Sequence, residues 1–301
     1  MSSVGKTRAG RLGALVLGAL GALPAVAQDA ADAFRAAPLR VCALDDNLPY
    51  ASRAGGASGF DLEVAAAVAR HTGQRVVPVW TGRAEDIQEI EGDLPLARLA
   101  RGDCDALFSV PGPATETLGA RDTLALGAPY YGAAFELVGC GAELPPSVAG
   151  LAGRAVAIQS QTVAHFALLA AGAEPRNYFS INAAFAAVRD GETTAALLWG
   201  PAIGWRLRMA AASGLTVRDP RYAACAPVAG YTPPAALSWN LHVATRREPA
   251  RVRERIDDAL ATLASSGELE RIARTWGVPW HAPFAATYTR QAIEELRGGA
   301  H

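Results

Sequence analysis

Asp45, Asp46, Asn47 and Tyr50 put two carboxylates, an amide and a phenol on one short stretch. Groups of this kind hold a small solute by charge and hydrogen bonds. Paired carboxylates can also pass protons to one, and Glu116 could join Asp45 and Asp46 as an acid–base set. The rest of the sequence offers catalysis little. His71, His165, His242 and His281 are scattered, without Ser or Asp partners at a recognisable spacing. No G-x-S-x-G, H-E-x-x-H or G-x-x-x-x-G-K-[ST] motif occurs. These features favour a binding protein over an enzyme, and no cofactor is expected.

The other reactive residues are four cysteines, Cys42, Cys104, Cys140 and Cys225. An even number in an oxidising compartment suits two disulfides. Metal ligation and buried free thiols are the alternatives. Against a zinc site, no pair has C-x-x-C spacing and no histidine is close in sequence.

The polar loop needs an element on each side to position it. Residues 39–44 are an apolar, β-branched run that reads as a buried strand. Gly59-Phe60-Asp61-Leu62 then opens a helix, with Asp61 as its expected N-cap. Leu62, Ala65, Ala66 and Ala69 follow at helical spacing. A strand, a polar loop and a helix make the first βα unit of an open α/β sheet, which binds ligands at the carboxyl ends of its strands. Further strands are expected at 75–80, 104–110, 134–138, 155–159, 194–199, 216–218 and 237–244. Helices are expected at 61–71, 94–101, 162–171, 182–189 and 201–212, with two more after Pro249. Such alternation predicts parallel sheets covered by helices.

The N-terminus sets the compartment. Lys6, Arg8 and Arg11 precede the apolar residues 12–23, and Pro24 is followed by Ala25-Val26-Ala27. A dozen apolar residues are too few for a membrane span, which needs about 20. The pattern predicts a signal peptide over 1–27, cut near Ala27/Gln28, and hence a periplasmic protein. Loss of its three cations takes the formal net charge from −1 to −4. No basic face for nucleic acid is expected from that balance.

Glycines and prolines at 139–153 and 226–234 interrupt the alternation. The chain between them forms its own βα set. The expected organisation is therefore lobe 1 from 39–138 and 235–290, and lobe 2 from 139–234. Hinge crossings fall near 135–140 and 226–238, with a ligand cleft between the lobes.

Several pieces resemble the family 3 periplasmic solute-binding proteins from end to end. They are the opening loop with its Gly-Phe-Asp helix start, Gly102-Asp103-Cys104-Asp105-Ala106 and Ala128-Pro129-Tyr130-Tyr131. Leu151-Ala152-Gly153-Arg154-Ala155-Val156-Ala157, Asp190-Gly191 and Ser266-Gly267-Glu268-Leu269 complete the set. The resemblance implies a type II periplasmic-binding-protein-like α/β fold of two lobes that close on a small ligand, usually for an ABC importer. Cys42, Asn47-Leu48-Pro49-Tyr50, Cys104-Asp105, Val110-Pro111 and Trp199-Gly200-Pro201 are similar to a narrower subgroup. Its members accompany PQQ-dependent methanol dehydrogenases, which implies a periplasmic quinoprotein dehydrogenase as partner. An ABC permease with a small polar solute is the alternative, and a periplasmic dehydratase or lyase the second alternative.

The resemblance also places the ligand. Expected contacts are Asp46, Asn47, Tyr50, Ser109 and Thr115 from lobe 1, and Gln161, Thr162 and Trp199 from lobe 2. Amino-acid-binding members use an arginine for the carboxylate and a lobe 2 aspartate for the ammonium. Thr117 and Trp199 stand in those places here, with Arg121, Asp45 and Asp46 as nearby substitutes. Strands one and three are neighbours in this fold, which implies a Cys42–Cys104 disulfide. Cys140 and Cys225 bracket lobe 2 and are expected to pair.

Overall fold

A computed structural model describes residues 37–54, 56–83, 94–112, 123–141, 143–289 and 291–292. The expected signal peptide, Thr115, Glu116, Thr117 and Arg121 lie outside them. Strand β1 (Leu39–Asp45) buries Leu39, Val41, Cys42 and Ala43, as its apolar run requires. Helix α1 (Phe60–Thr72) crosses to β2 (Val76–Arg83), and α2 (Pro95–Arg101) leads to β3 (Ala106–Pro111). Both strands pair with β1 in parallel, as the strands of βαβ units do.

The next strand, β4 (Leu124–Cys140), is 17 residues long, far longer than the expected 134–138. Up to Ala134 it runs antiparallel to β9 (Ser238–Arg246), which also pairs with β3. From Phe135 onward its partner is β7 (Ala195–Trp199). Register shifts flank Pro129, which has no N–H for the ladder. β5 (Ala155–Gln159) lies beside β7, and β6 (Glu174–Tyr178) forms the edge beyond it. The order β2-β1-β3-β9-β4-β7-β5-β6 is thus one ladder that changes partner between Ala134 and Phe135. β8 (Cys225–Pro227) pairs with the end of β4.

The covering helices in the second half are α3 (Ala164–Ala170), α4 (Ile181–Arg189) and α5 (Gly200–Ala212). Two short turns of helix follow, α6 (Leu215–Arg218) and α7 (Pro220–Ala223). α8 (Ala250–Ser265) and α9 (Glu268–Thr275) return to the first half, where Ile256, Leu260, Leu269 and Ile272 pack with Phe60 and Val64. A second core holds Leu137, Leu151, Ile158, Leu168 and Leu197. Trp199 and Trp239 pack against both cores.

Three expectations about elements are corrected. Residues 216–218 are helical rather than a strand. Gly214, at φ 71°, ends α5 and re-aims the chain, and the segment finds no ladder partner to realise its β propensity. β6 carries no alternation to announce it: its residues are mostly exposed and it contains Pro175, which an edge strand tolerates. Asp61 is not the cap of α1. Gly59 holds that position at φ 148°, because a Cβ there would sit 2.2 Å from the Tyr50 carbonyl oxygen.

Both expected disulfides are present. Cys42 and Cys104 have Cα atoms 5.5 Å apart, and Cys140 faces Cys225 across the β4–β8 ladder.

Candidate functional site

The polar loop after β1 is held shut against α1. Asn47 N–H donates to the Ala51 carbonyl, Phe60 N–H to Pro49 and Asp61 N–H to Tyr50. Asp45 serves the loop itself, accepting from the Asp46 and Arg53 backbone N–H groups at 2.9 and 2.8 Å. Asp46 is exposed at φ 56° and lines neither cavity described below. Asn47 and Tyr50 turn inward.

Asp61 meets the end of β3. Ser109 sits at φ 54° in a register shift of the β3–β9 ladder, which aims its hydroxyl away from the pleat. Its Oγ donates to Asp61 Oδ1 at 2.5 Å and lies 3.2 Å from the Tyr130 hydroxyl, which also accepts from the Ser109 N–H. Burial pushes the Asp61 carboxyl up to about 7, and the Ser109 hydrogen bond only partly opposes this. Burial likewise raises the phenols of Tyr50 and Tyr130.

The second half of the sheet supplies an aromatic wall. Trp199 Nε1 donates to the Tyr50 hydroxyl at 2.7 Å, a direct bond between the ends of β7 and the β1 loop. The Trp199 ring meets Phe135 and Trp239 edge-on, each at 5.6 Å. Trp239 in turn stacks on Tyr288. Helix α3 begins at Ala164, after the expected start, so Thr162 is not its cap. Thr162 Oγ1 donates back to the Gln159 carbonyl. Gln161 is exposed at φ 63° on an adjoining groove with His165 and Asn177.

Two cavities meet at Ser109 and Pro111. A smaller one of about 250 Å³ lies between Thr162, Phe135, Trp199 and Trp239. A larger one of about 620 Å³ is lined by Asn47, Tyr50, Asp61 and Ser109, its wall otherwise apolar among the described residues. Among the expected contacts, Asn47, Tyr50, Ser109, Thr162 and Trp199 come together here. Asp46 and Gln161 do not line these two cavities, and Thr115 is outside the described residues. Sequence reasoning missed Asp61, Phe135 and Trp239 as cavity residues, and Tyr130 as the partner of Ser109. Asp61 was in view as a helix cap, and only the position of Ser109 reveals its other contact.

The histidines engage other groups: His242 Nδ1 is 2.8 Å from the Gly127 carbonyl and His281 Nε2 is 2.7 Å from Glu136 Oε1. Among the described residues no cluster of three or more His, Cys, Asp or Glu could hold a metal ion. No helix among them is long and apolar enough to cross a membrane.

No family model matches the sequence, and no curated protein matches it significantly. Solved structures do match over most of the chain. The unliganded, open L-cystine solute receptor of Neisseria gonorrhoeae superimposes with a TM-score of 0.62 at 18% identity, covering 80% of this chain and 93% of the receptor. Substrate-binding domain 2 of Lactococcus lactis GlnP, also open, gives 0.59 at 14% identity over 79% and 94%. A histidine kinase sensor domain with similarity to periplasmic binding proteins gives 0.52 at 19% identity over 83% and 99%. The fold is that of the two-lobed periplasmic binding proteins.

Proposed function

We propose that this protein is a non-catalytic solute-binding protein that works in the periplasm and delivers a small solute to the permease of an ABC importer. The observation that carries this reading is the convergence of both halves of the sheet on one pair of cavities. Tyr50 and Ser109 come from the first half, Thr162 and Trp199 from the second. In this reading residues 1–27 are the signal peptide, 39–138 with 235–290 form lobe 1, and 139–234 form lobe 2. The lobes hinge where β4 and β9 pair at Ala134 and Ser238.

The likeness to solute receptors favours the importer over a quinoprotein dehydrogenase as partner. The dehydrogenase role rests on the sequence resemblance and on one structural point. The Trp199–Tyr50 bond ties the two sides directly together, which suits a protein read by a partner rather than loaded by a ligand. The dehydratase alternative is weaker: Asp61 is the sole carboxylate or imidazole among the described residues lining either cavity.

Small-angle scattering with a panel of small solutes tests the reading. A binding solute should make the molecule more compact. Saturable binding to a quinoprotein dehydrogenase, with no solute producing compaction, would shift the assignment to the accessory role. In calorimetry with the same panel, ordinary α-amino acids should bind no tighter than about millimolar. Among the described residues no cation lines either cavity to meet the α-carboxylate, and an unpaired buried charge costs several kcal/mol.

A further inference from the structure

We propose that the larger cavity is an amine site, in which Asp61 receives the ammonium of a solute whose apolar body lies against Leu44, Leu107, Val110 and Leu124. This names the solute class of the proposed receptor and rests on that reading. Four observations carry it. The volume of about 620 Å³ is that of a small-molecule site. Among the described residues the wall is apolar except for Asn47, Tyr50, Asp61 and Ser109. Asp61 has one oxygen occupied by Ser109, while Oδ2 has no partner among the described residues. No cationic side chain among the described residues pairs with it.

Each part of that chemistry excludes a class of ligand. An anion would face an unneutralised carboxylate with no cation to offset it. A zwitterion would bring its own carboxylate against leucine and valine side chains. A sugar would leave most of its hydroxyls without partners on the same wall. An ammonium supplies the missing charge for Asp61, and the Asn47 amide oxygen and the Tyr50 hydroxyl can accept its remaining protons. The body then fills apolar space.

The groups facing Asp61 are Ser109 from β3, Tyr130 from β4 and Tyr50 from the loop. Glu63, on the same helix, is turned away and accepts from Trp276 Nε1. Both phenols are held above their ordinary range by burial and stay neutral, so Asp61 alone changes charge near neutrality.

Calorimetry of the purified protein with hexylamine and 2-phenylethylamine, against 1-hexanol, 3-phenylpropionate and phenylalanine, tests the assignment. At pH 8 the amines should bind at least about tenfold tighter than the alcohol. Asp61→Asn should bring them down to the alcohol's affinity. Lowering the pH from 8 to 6 should weaken the amines by about tenfold and leave the alcohol unchanged, as Asp61 takes up a proton. Leu96→Trp, which fills the cavity from α2 and leaves Asp61 in place, should abolish amine binding. Equal affinity of amine and alcohol, or an amine advantage that survives Asp61→Asn, overturns the proposal. Compaction by the carboxylate or the zwitterion alone overturns the amine assignment but keeps the receptor. No compaction by any solute, with no amine binding, overturns both.

Discussion

The two ends of the β1–β3 pair each carry a partly buried aspartate, and they treat it in opposite ways. At the amino end, Asp105 accepts from Arg40 Nη2 at 2.7 Å, Arg40 Nε at 3.1 Å and the Arg40 backbone N–H at 3.0 Å. Arg246 stands 3.8 Å away, and the Cys42–Cys104 bond ties the same two strands alongside. At the carboxyl end, Asp61 has a serine hydroxyl and, among the described residues, no cation. A neutralised, multiply bonded carboxylate stabilises the fold. An unneutralised one costs free energy and is retained where it can act on something else. The same strands therefore have one end where the carboxylate is neutralised and one where, among the described residues, it is not.

Removing the cross-link should have the largest effect on this contrast. Replacing Cys42 and Cys104 together by Ser should destabilise the protein by about 2–5 kcal/mol in urea unfolding. If the amino end acts as a scaffold, binding at the other end should survive wherever the protein stays folded.

Asp61→Asn should work in the opposite direction. The folded-state carboxyl is raised to about 7, above its unfolded value of about 4, so the native state holds the proton more tightly. The wild type should accordingly lose stability as pH rises from about 4 to 7, by about 2–4 kcal/mol. The amide keeps an acceptor for Ser109 and removes the charge, so the variant should be the more stable protein at pH 8 and lack that slope. Urea midpoints at pH 5 and pH 8 check both points. A variant less stable at both pH values would mean that Asp61 is structural after all.

Arg40→Met should cost about 1–2 kcal/mol. It strands Asp105, but the pair is partly exposed and Arg246 remains nearby. Thermal unfolding should show a drop of a few degrees, with solute binding unaltered. Trp199→Phe is the smallest change. It keeps an aromatic ring beside Phe135 and Trp239 and deletes the donor to Tyr50, for about 1 kcal/mol. Its clearer readout is a larger radius of gyration in the solute-free protein. An unchanged radius would show that the aromatic packing, rather than the hydrogen bond, holds the two sides together.

How far the sequence alone reaches varies along the chain. The apolar run of β1, the five residues of β5 and the faces of α1 and α4 could be read because their burial follows a local period. The cysteine pairing was readable only through the neighbour relation of two strands. β6 and the first half of β4 were not readable: one is mostly exposed, and the other carries glycines and Pro129, which its ladder tolerates through register shifts. Among the expected contacts, Asn47, Tyr50, Ser109 and Trp199 stand at strand ends, where open α/β sheets collect their ligands, so their convergence follows from position in the sequence pattern.

What the sequence determined by itself was thus the α/β class, the alternation of elements and the strand ends that carry polar groups. These depend on periodicity and on the chemistry of single residues. Tertiary structure alone decided which carboxylate would be neutralised. Asp61 and Asp105 are alike as residues, and both stand near a β–α junction. Arg40 is 65 positions from Asp105 and Ser109 is 48 positions from Asp61. A carboxylate's charge state and function depend on which distant groups surround it and how much water they exclude, and no local pattern encodes that.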